Sequence, residues 1–273
     1  MLKYLRESFR RKKARRITQE YAPLIKTYQL EKEGAVEFAN WDNPLVEKHT
    51  ISQVDVDFFK KFIKKGDLIV DIGANSGAVT VPMSLAAGKE GVTLGFDPNP
   101  YVFKILATNA SLNKEKTNIV AVPCAIAATE SEYYYTSSEA SFANGGISET
   151  NDNRHGKFVY PEQIKGVNLH EYIQENYAGK QVTFVKVDAE GYDKEIIKSI
   201  GDLISAHKPV MVAESFGSSS DDAKKELFEV IAQHNYQIFY FEDFKSDAET
   251  IEVKNAEEML KWKETINIYA VPR

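Results

Sequence analysis

Apolar residues along the chain follow two periodicities that take turns. Continuous runs, which suit strands covered on both faces, recur at Leu68–Ile72, Val92–Phe96, 118–122, Val182–Val187 and 210–213. Between them lie stretches with helical spacing. Ser52 and Asp55 form a capping box, and Val54, Phe58, Phe59, Phe62 and Ile63 then supply an apolar helical face that Gly66 closes. Segment 100–113 turns Val102, Ile105, Leu106 and Ala110 inward, short helices are predicted at 168–177 and 193–200, and 221–235 is amphipathic through Leu227, Val230, Ile231 and His234. Tyr236–Phe241 and 265–270 read as a closing strand pair, with helical turns over 255–263 between them. Strands that alternate with helices and end in a hairpin-like pair predict an α/β domain with a mostly parallel sheet.

Two stretches break the alternation. Residues 1–50 read as a basic N-terminal helical arm: Leu2, Leu5 and Phe9 fall at i, i+3 and i+7, and 18–30 is expected to be helical until Gly34 stops it. Residues 51–273 then form the main domain. Inside it, 132–166 carries a tyrosine triplet at 133–135, a Ser/Gly/Asn-rich segment as far as Asp152, and His155. A long irregular insertion in a compact domain predicts a lid facing substrate. Its tyrosines would either stack on a sugar or pair across strands toward solvent.

The first apolar run leads into the densest chemistry. Asp71 stands at its carboxyl end, and Gly73 and Gly77 bracket a turn where the backbone approaches a ligand closely. A helix expected from about residue 78, whose regular bonding Pro82 delays, would point its positive end at an anion. The next strand ends at Asp97, twenty residues beyond Gly77, where an acid in such a unit accepts both hydroxyls of a ribose. A nicotinamide fingerprint needs a glycine where this chain has Asn75. That side chain argues against a pyrophosphate and leaves room for a smaller anion, the amino-acid end of S-adenosylmethionine. Cys124, Ala125 and Ile126, after the third strand, are placed to flank a bound base or to pack in the core.

Composition narrows the setting. With 43% apolar and 27% charged residues among 273, the chain resembles ordinary globular proteins. No apolar run approaches bilayer length and no secretory pattern is visible, so a cytoplasmic protein is expected. Cys124, the one cysteine, excludes an internal disulfide and a cysteine-built metal site. The net charge of −6 hides an asymmetry: Met1 to Arg16 holds eight Lys or Arg against one Glu, and the other 26 basic and 39 acidic residues leave a body of −13. An acidic body is a poor surface for nucleic acid. The basic residues 1–16 could instead rest on an anionic membrane surface, or serve only as a frayed terminus or packing arm.

The motifs VDIGANSG, FDPNP and FVKVDAEGYDKEII resemble the FkbM family of S-adenosylmethionine-dependent methyltransferases, over about residues 66–214 and more weakly at 267–272. The resemblance implies a class I, Rossmann-like α/β fold with a seven-stranded, mostly parallel sheet, one antiparallel strand and helices on both faces. It also implies methyl transfer to a hydroxyl of a small molecule or glycan. Asp97 and Pro98 stand where the family usually has Glu-Pro, and Ser215, Phe216 and Gly217 stand where it often has a histidine. Asp188 is the first candidate for the base that an alcohol needs. Glu190 would orient the acceptor or share the proton, and Lys186 would hold a carboxylate or, alternatively, pair with Glu190 to support the sheet end. Asp188 with Glu214 could hold Mg²⁺ or Mn²⁺, and His155 and His170 are the other candidate bases. A nucleotide-dependent oxidoreductase and a non-catalytic scaffold with a membrane-binding arm remain the rival readings.

Overall fold

The computed structural model describes residues 2–150, 155–189 and 191–273. Helix α1 (Leu2–Ala14) precedes an antiparallel hairpin, β1 (Pro23–Leu30) and β2 (Gly34–Trp41). Then α2 (Gln53–Phe59), β3 (Leu68–Ile72), α3 (Thr80–Ala87), β4 (Val92–Phe96), α4 (Phe103–Ser111) and β5 (Ile119–Val122) follow the predicted alternation. Five short strands come next: β6 (Ala125–Ile126), β7 (Ser131–Ser137), β8 (Gly146–Ser148), β9 (Phe158–Val159) and β10 (Ile164–Val167). The chain closes with α5 (Leu169–Asn176), β11 (Val182–Val187), α6 (Asp193–Ser199), α7 (Gly201–His207), β12 (Val210–Ser215), α8 (Asp221–Ala232), β13 (Tyr236–Phe241), β14 (Thr250–Val253), a 3₁₀ turn at Ala256–Lys261, and β15 (Ile266–Pro272).

The main sheet has eight strands in the order β14-β13-β15-β12-β11-β3-β4-β5. The five from β12 to β5 are mutually parallel, and β15 runs antiparallel to both β12 and β13. Seven of these match the expected set; β14, antiparallel at the edge beyond β13, is the eighth. The sheet is buried on both faces because its strands alternate between two cores. Leu68, Val70, Ile72, Val185, Val187, Met211 and Ala213 face one core with α5 to α8, while Ile69, Phe184 and Val212 face Phe58, Phe59 and Met83 on the other. Each fully buried Val, Leu, Ile, Phe or Met among them contributes about 1.5–3 kcal/mol. At the start of α3, Val81 N already donates to Gly77 O and Met83 N to Val79 O, so Pro82 omits one bond of the first turn and the regular helix starts at Thr80, the expected delay.

Two expectations are corrected. Residues 18–30 are not a helix: 23–30 form β1, which pairs along its length with β2, where Val36 and Phe38 are buried on either side of exposed Glu37 and Gly34, at φ +69, follows the hairpin turn. Only Leu2–Ala14 of the basic arm is helical, and the hairpin belongs to the body. Asn109 on α4 and Asn113, two residues beyond its end, hold β2 with their side-chain amides: Asn109 pairs with both the N–H and C=O of Ala39, and Asn113 with those of Glu37. Asn109 also donates to Ser76 O in the glycine turn, so the hairpin is tied to that turn.

Nor is the described part of the 132–166 insertion irregular throughout. Its strands β7 to β10 join β6 in a separate small sheet in the order β6-β10-β7-β8, with β9 paired to β7. These strands are two to seven residues long, most of them too short to carry a hydrophobic period that could be read.

Candidate active site

A cavity of about 700 Å³ opens at the carboxyl ends of β3, β4, β5 and β11, within the usual range for small-molecule sites. On the β3 side it is bounded by Ile72, Gly73 and Asn75. Gly73, at φ +76, is required by a close approach: a Cβ there would stand 1.8 Å from the Asp188 carbonyl oxygen. Asn75 has φ +50, a conformation its short amide tolerates, and its backbone N–H donates to Asp97 Oδ2 at 2.7 Å. The other oxygen, Oδ1, accepts from Asn99 N at 2.8 Å. Asp97 is 6% exposed, and burial pushes its carboxyl up to about 6 against those two N–H donors.

The opposite wall begins at the end of β11. Lys186, 2% exposed, places its ammonium 3.1 Å from Asp71 Oδ1 and 3.2 Å from Asp188 Oδ2. Burial alone would lower its pKa, but the Asp188 and Asp71 carboxylates more than reverse that, so the ammonium stays charged. Asp71 is wholly buried and takes a further hydrogen bond from Thr80 Oγ1 at 2.6 Å. Asp188, its side chain 40% exposed, lines the cavity. A row of buried acid, buried cation and accessible acid therefore orients one oxygen of Asp188 and leaves the other side of the carboxylate to face the cleft.

The second sheet supplies the remaining wall. Tyr133 and Tyr135, two apart on β7, share the face turned to the cavity, with Asn144 and Ser148 beside them. His155 also lines it, 5.7 Å between ring centroids from Tyr192 of the loop before α6. Gly146 makes room for that imidazole, since a Cβ would come within 2.7 Å of the ring. Cys124, Ala125, Ile126, Pro98 and Val102 form an apolar flank.

Comparison with known proteins decides the family. A model described as the methyltransferase FkbM domain matches residues 71–245, well over half of the chain. The chain belongs to the FkbM methyltransferase family. Among solved structures it is similar to the methyltransferase FkbM from Methylobacillus flagellatus, at 16% identity over 77% of this chain and 44% of that one, with a TM-score of 0.48. It thus spans less than half the length of that protein. It is also similar to the O-methyltransferase from Bacillus cereus in complex with SAH (12% identity, 84% of this chain and 85% of that one, TM-score 0.45). A third is the SAM-dependent O-methyltransferase from Thermotoga maritima (12%, 83% and 67%, TM-score 0.42).

Of the residues expected in an FkbM site, the cleft gathers Gly73, Asn75, Asp97, Pro98, Cys124, Ala125, Asp188 and His155. Others are placed differently. Asp71 and Lys186 lie beneath the wall as an ion pair and would act on a ligand only through Asp188. Gly77, at φ +91, is a packing position, where a Cβ would meet Leu106 Cδ1 at 3.2 Å. Glu214 borders a separate small cavity with Gly191 and Lys224 and is not among the residues lining the cleft of Asp188. Among the described residues no group of three or more His, Cys, Asp or Glu is placed to hold a metal. His170 stands on α5 beside Gln174 and His207, away from the cleft. Glu190 lies outside the described residues.

Two participants were not read from the chain. Asn99 links walls, accepting from Tyr101 N at 3.0 Å and donating Nδ2 to Phe142 O at 2.8 Å, while its own N–H holds Asp97. The Asp-Pro-Asn-Pro run, rich in turn-formers, was the available signal. Asp193 is 2% exposed and accepts from Glu214 N at 3.1 Å and Ala189 N at 3.4 Å, so it ties the residue after Asp188 to the end of β12. Burial, with the Asp188 charge adding to it, pushes its carboxyl up to about 7. In sequence it looked like an ordinary acid in the first turn of a helix.

Proposed function

We propose that this protein transfers a methyl group from S-adenosylmethionine to a hydroxyl, most fittingly one on a sugar of a glycan or glycoconjugate. The observation that carries the reading is that Asp97 and Asp188, from strands on either side of β3, line one cavity. The Asp97 carboxylate, preset by two backbone N–H groups, keeps lone pairs for the two ribose hydroxyls. The apolar Cys124, Ile126 and Val102 suit an adenine face, and Asn75 limits the space beside the glycine turn to an anion smaller than a pyrophosphate.

Bound S-adenosylmethionine would supply a methyl carbon already activated by its sulfonium. What remains for the protein is alignment, which can account for roughly 7–11 kcal/mol of a barrier, and proton removal, worth about 10²–10⁴-fold. Asp188 takes the hydroxyl proton, and Lys186 fixes the carboxylate that receives it. Tyr133, Tyr135 and Tyr192 offer faces for sugar rings, and Asn144 and Ser148 offer hydrogen-bond partners. The test is paired: Asp188→Asn should bind S-adenosylhomocysteine as wild type does and lose methyl transfer to hydroxyl acceptors by at least about 10²-fold. Unchanged transfer would remove Asp188 as the base. Absence of binding by wild type would remove the reading.

A further inference from the structure

Helix α1 is seated by one side only. Arg10 donates to Asp42 Oδ2 at 3.1 Å, Arg11 Nε donates to Pro44 O at 3.2 Å, and Ala14, one turn after Arg10, is fully buried. The row on the far side contains Leu5, Phe9 and Lys12. Phe9 is 70% exposed, Leu5 56% and nearby Tyr4 77%, among exposed Arg6, Lys12, Lys13, Arg15 and Arg16. Apolar and cationic groups held out together match a lipid surface with anionic headgroups: the rings and leucine enter the acyl boundary while the cations meet phosphates. A polynucleotide would engage the cations and leave Leu5 in water.

We propose that α1 docks the protein on an anionic membrane and that this seat brings the cavity rim, residues 139–146, to the same surface. The C-terminal end of α1 is bonded to that rim, because Ala140 N donates to Arg15 O at 3.3 Å. Asn43 Nδ2 donates to Ser141 O at 3.4 Å, and Asn99 Nδ2 donates to Phe142 O. Ala143, Asn144, Gly145 and Gly146 follow directly and line the cavity. The acidic remainder of the chain, at −13, is repelled by the same headgroups, so a single face can approach them. If the methyl-transfer reading above holds, on which this step rests, the acceptor hydroxyl is carried on a lipid.

The experiment is sedimentation of the full chain with vesicles of phosphatidylcholine alone or mixed with phosphatidylglycerol, followed by backbone hydrogen exchange on the vesicles. Wild type should bind only the mixed vesicles. Leu5→Ser/Phe9→Ser, which keeps every charge, and Lys12→Glu/Lys13→Glu should each weaken that binding roughly tenfold or more. S-adenosylhomocysteine affinity, a check on folding in these variants, should stay as in wild type. Exchange at 139–146 should slow on the mixed vesicles. Equal binding to neutral vesicles overturns the proposal, as does indifference to Leu5→Ser/Phe9→Ser with equal retention by polyuridylate, which would mark a general polyanion site. Protection confined to α1 overturns the rim contact. Failure of wild type to bind S-adenosylhomocysteine would cancel the acceptor assignment while leaving the vesicle result standing.

Discussion

Raising the pH from 5 to 7 should tighten S-adenosylhomocysteine binding about tenfold, and Asp97 should be the cause. Its carboxyl is pushed from 3.8 to about 6 by burial, with Asn99 N and Asn75 N working the other way. A shift of that size corresponds to about 3 kcal/mol of differential interaction between the two protonation states. The sign follows from the direction. The empty protein favours protonated Asp97 more than the unfolded chain does, so this group's stabilisation is full below 3.8 and is lost as pH rises through about 6. Ribose hydroxyls donate hydrogen bonds and favour the ionised form, so ligand affinity moves the opposite way. At pH 5 about one molecule in ten has Asp97 ionised, which sets the tenfold factor. Isothermal titration at pH 5, 6 and 7 measures it, and Asp97→Asn, which cannot titrate, should bind more weakly with a flat profile. A flat wild-type profile, or the same slope in Asp97→Asn, would refute the reasoning.

Three further outcomes follow from contacts in and under the wall. Lys186→Met leaves Asp71 as a wholly buried carboxylate without its cation and should cost about 3–5 kcal/mol in urea unfolding, much of it recovered in Lys186→Met/Asp71→Asn; a loss under about 1 kcal/mol would show the pair to be marginal. Gly73→Ala meets the Asp188 carbonyl at 1.8 Å and a left-handed φ, so it should lower thermal stability by the equivalent of at least about 1–3 kcal/mol and abolish S-adenosylhomocysteine binding; wild-type affinity in a folded variant would contradict the close approach. Asp193→Ala strands the N–H groups of Glu214 and Ala189 and should destabilise by about 1–3 kcal/mol at pH 5, with a smaller loss at pH 8, since a carboxyl raised to about 7 contributes less as pH climbs through that value. An equal or larger loss at pH 8 would reverse the sign inferred for Asp193.

The parallel part of the sheet was legible because its strands are covered on both faces, and complete burial writes continuous apolar runs into β3, β4 and β11. The cleft residues at the ends of those strands followed from the same frame, since position after a strand fixes which end a side chain reaches. Depth could not be read in this way. Asp71 and Asp97 both stand at strand ends, yet Asp71 is sealed under the wall by Lys186 and Thr80 while Asp97 meets the cavity. Glu214 likewise ends β12 but faces the neighbouring small cavity. Hairpin β1–β2 was hidden for another reason: β1 is exposed along most of its length, so its sequence lacks the alternation that a half-buried strand displays. Its place is set by the amides of Asn109 and Asn113, about seventy residues away, and no local pattern reports such pairing.

The account rests on one cleft shared by Asp97 and Asp188, and a crystal structure with S-adenosylhomocysteine bound tests it most directly. The ribose hydroxyls should lie on the Asp97 carboxylate, the adenine along Cys124 to Ile126, and the sulfur should point toward Asp188. A nucleoside held anywhere else, or a sulfur turned away from Asp188, would contradict it.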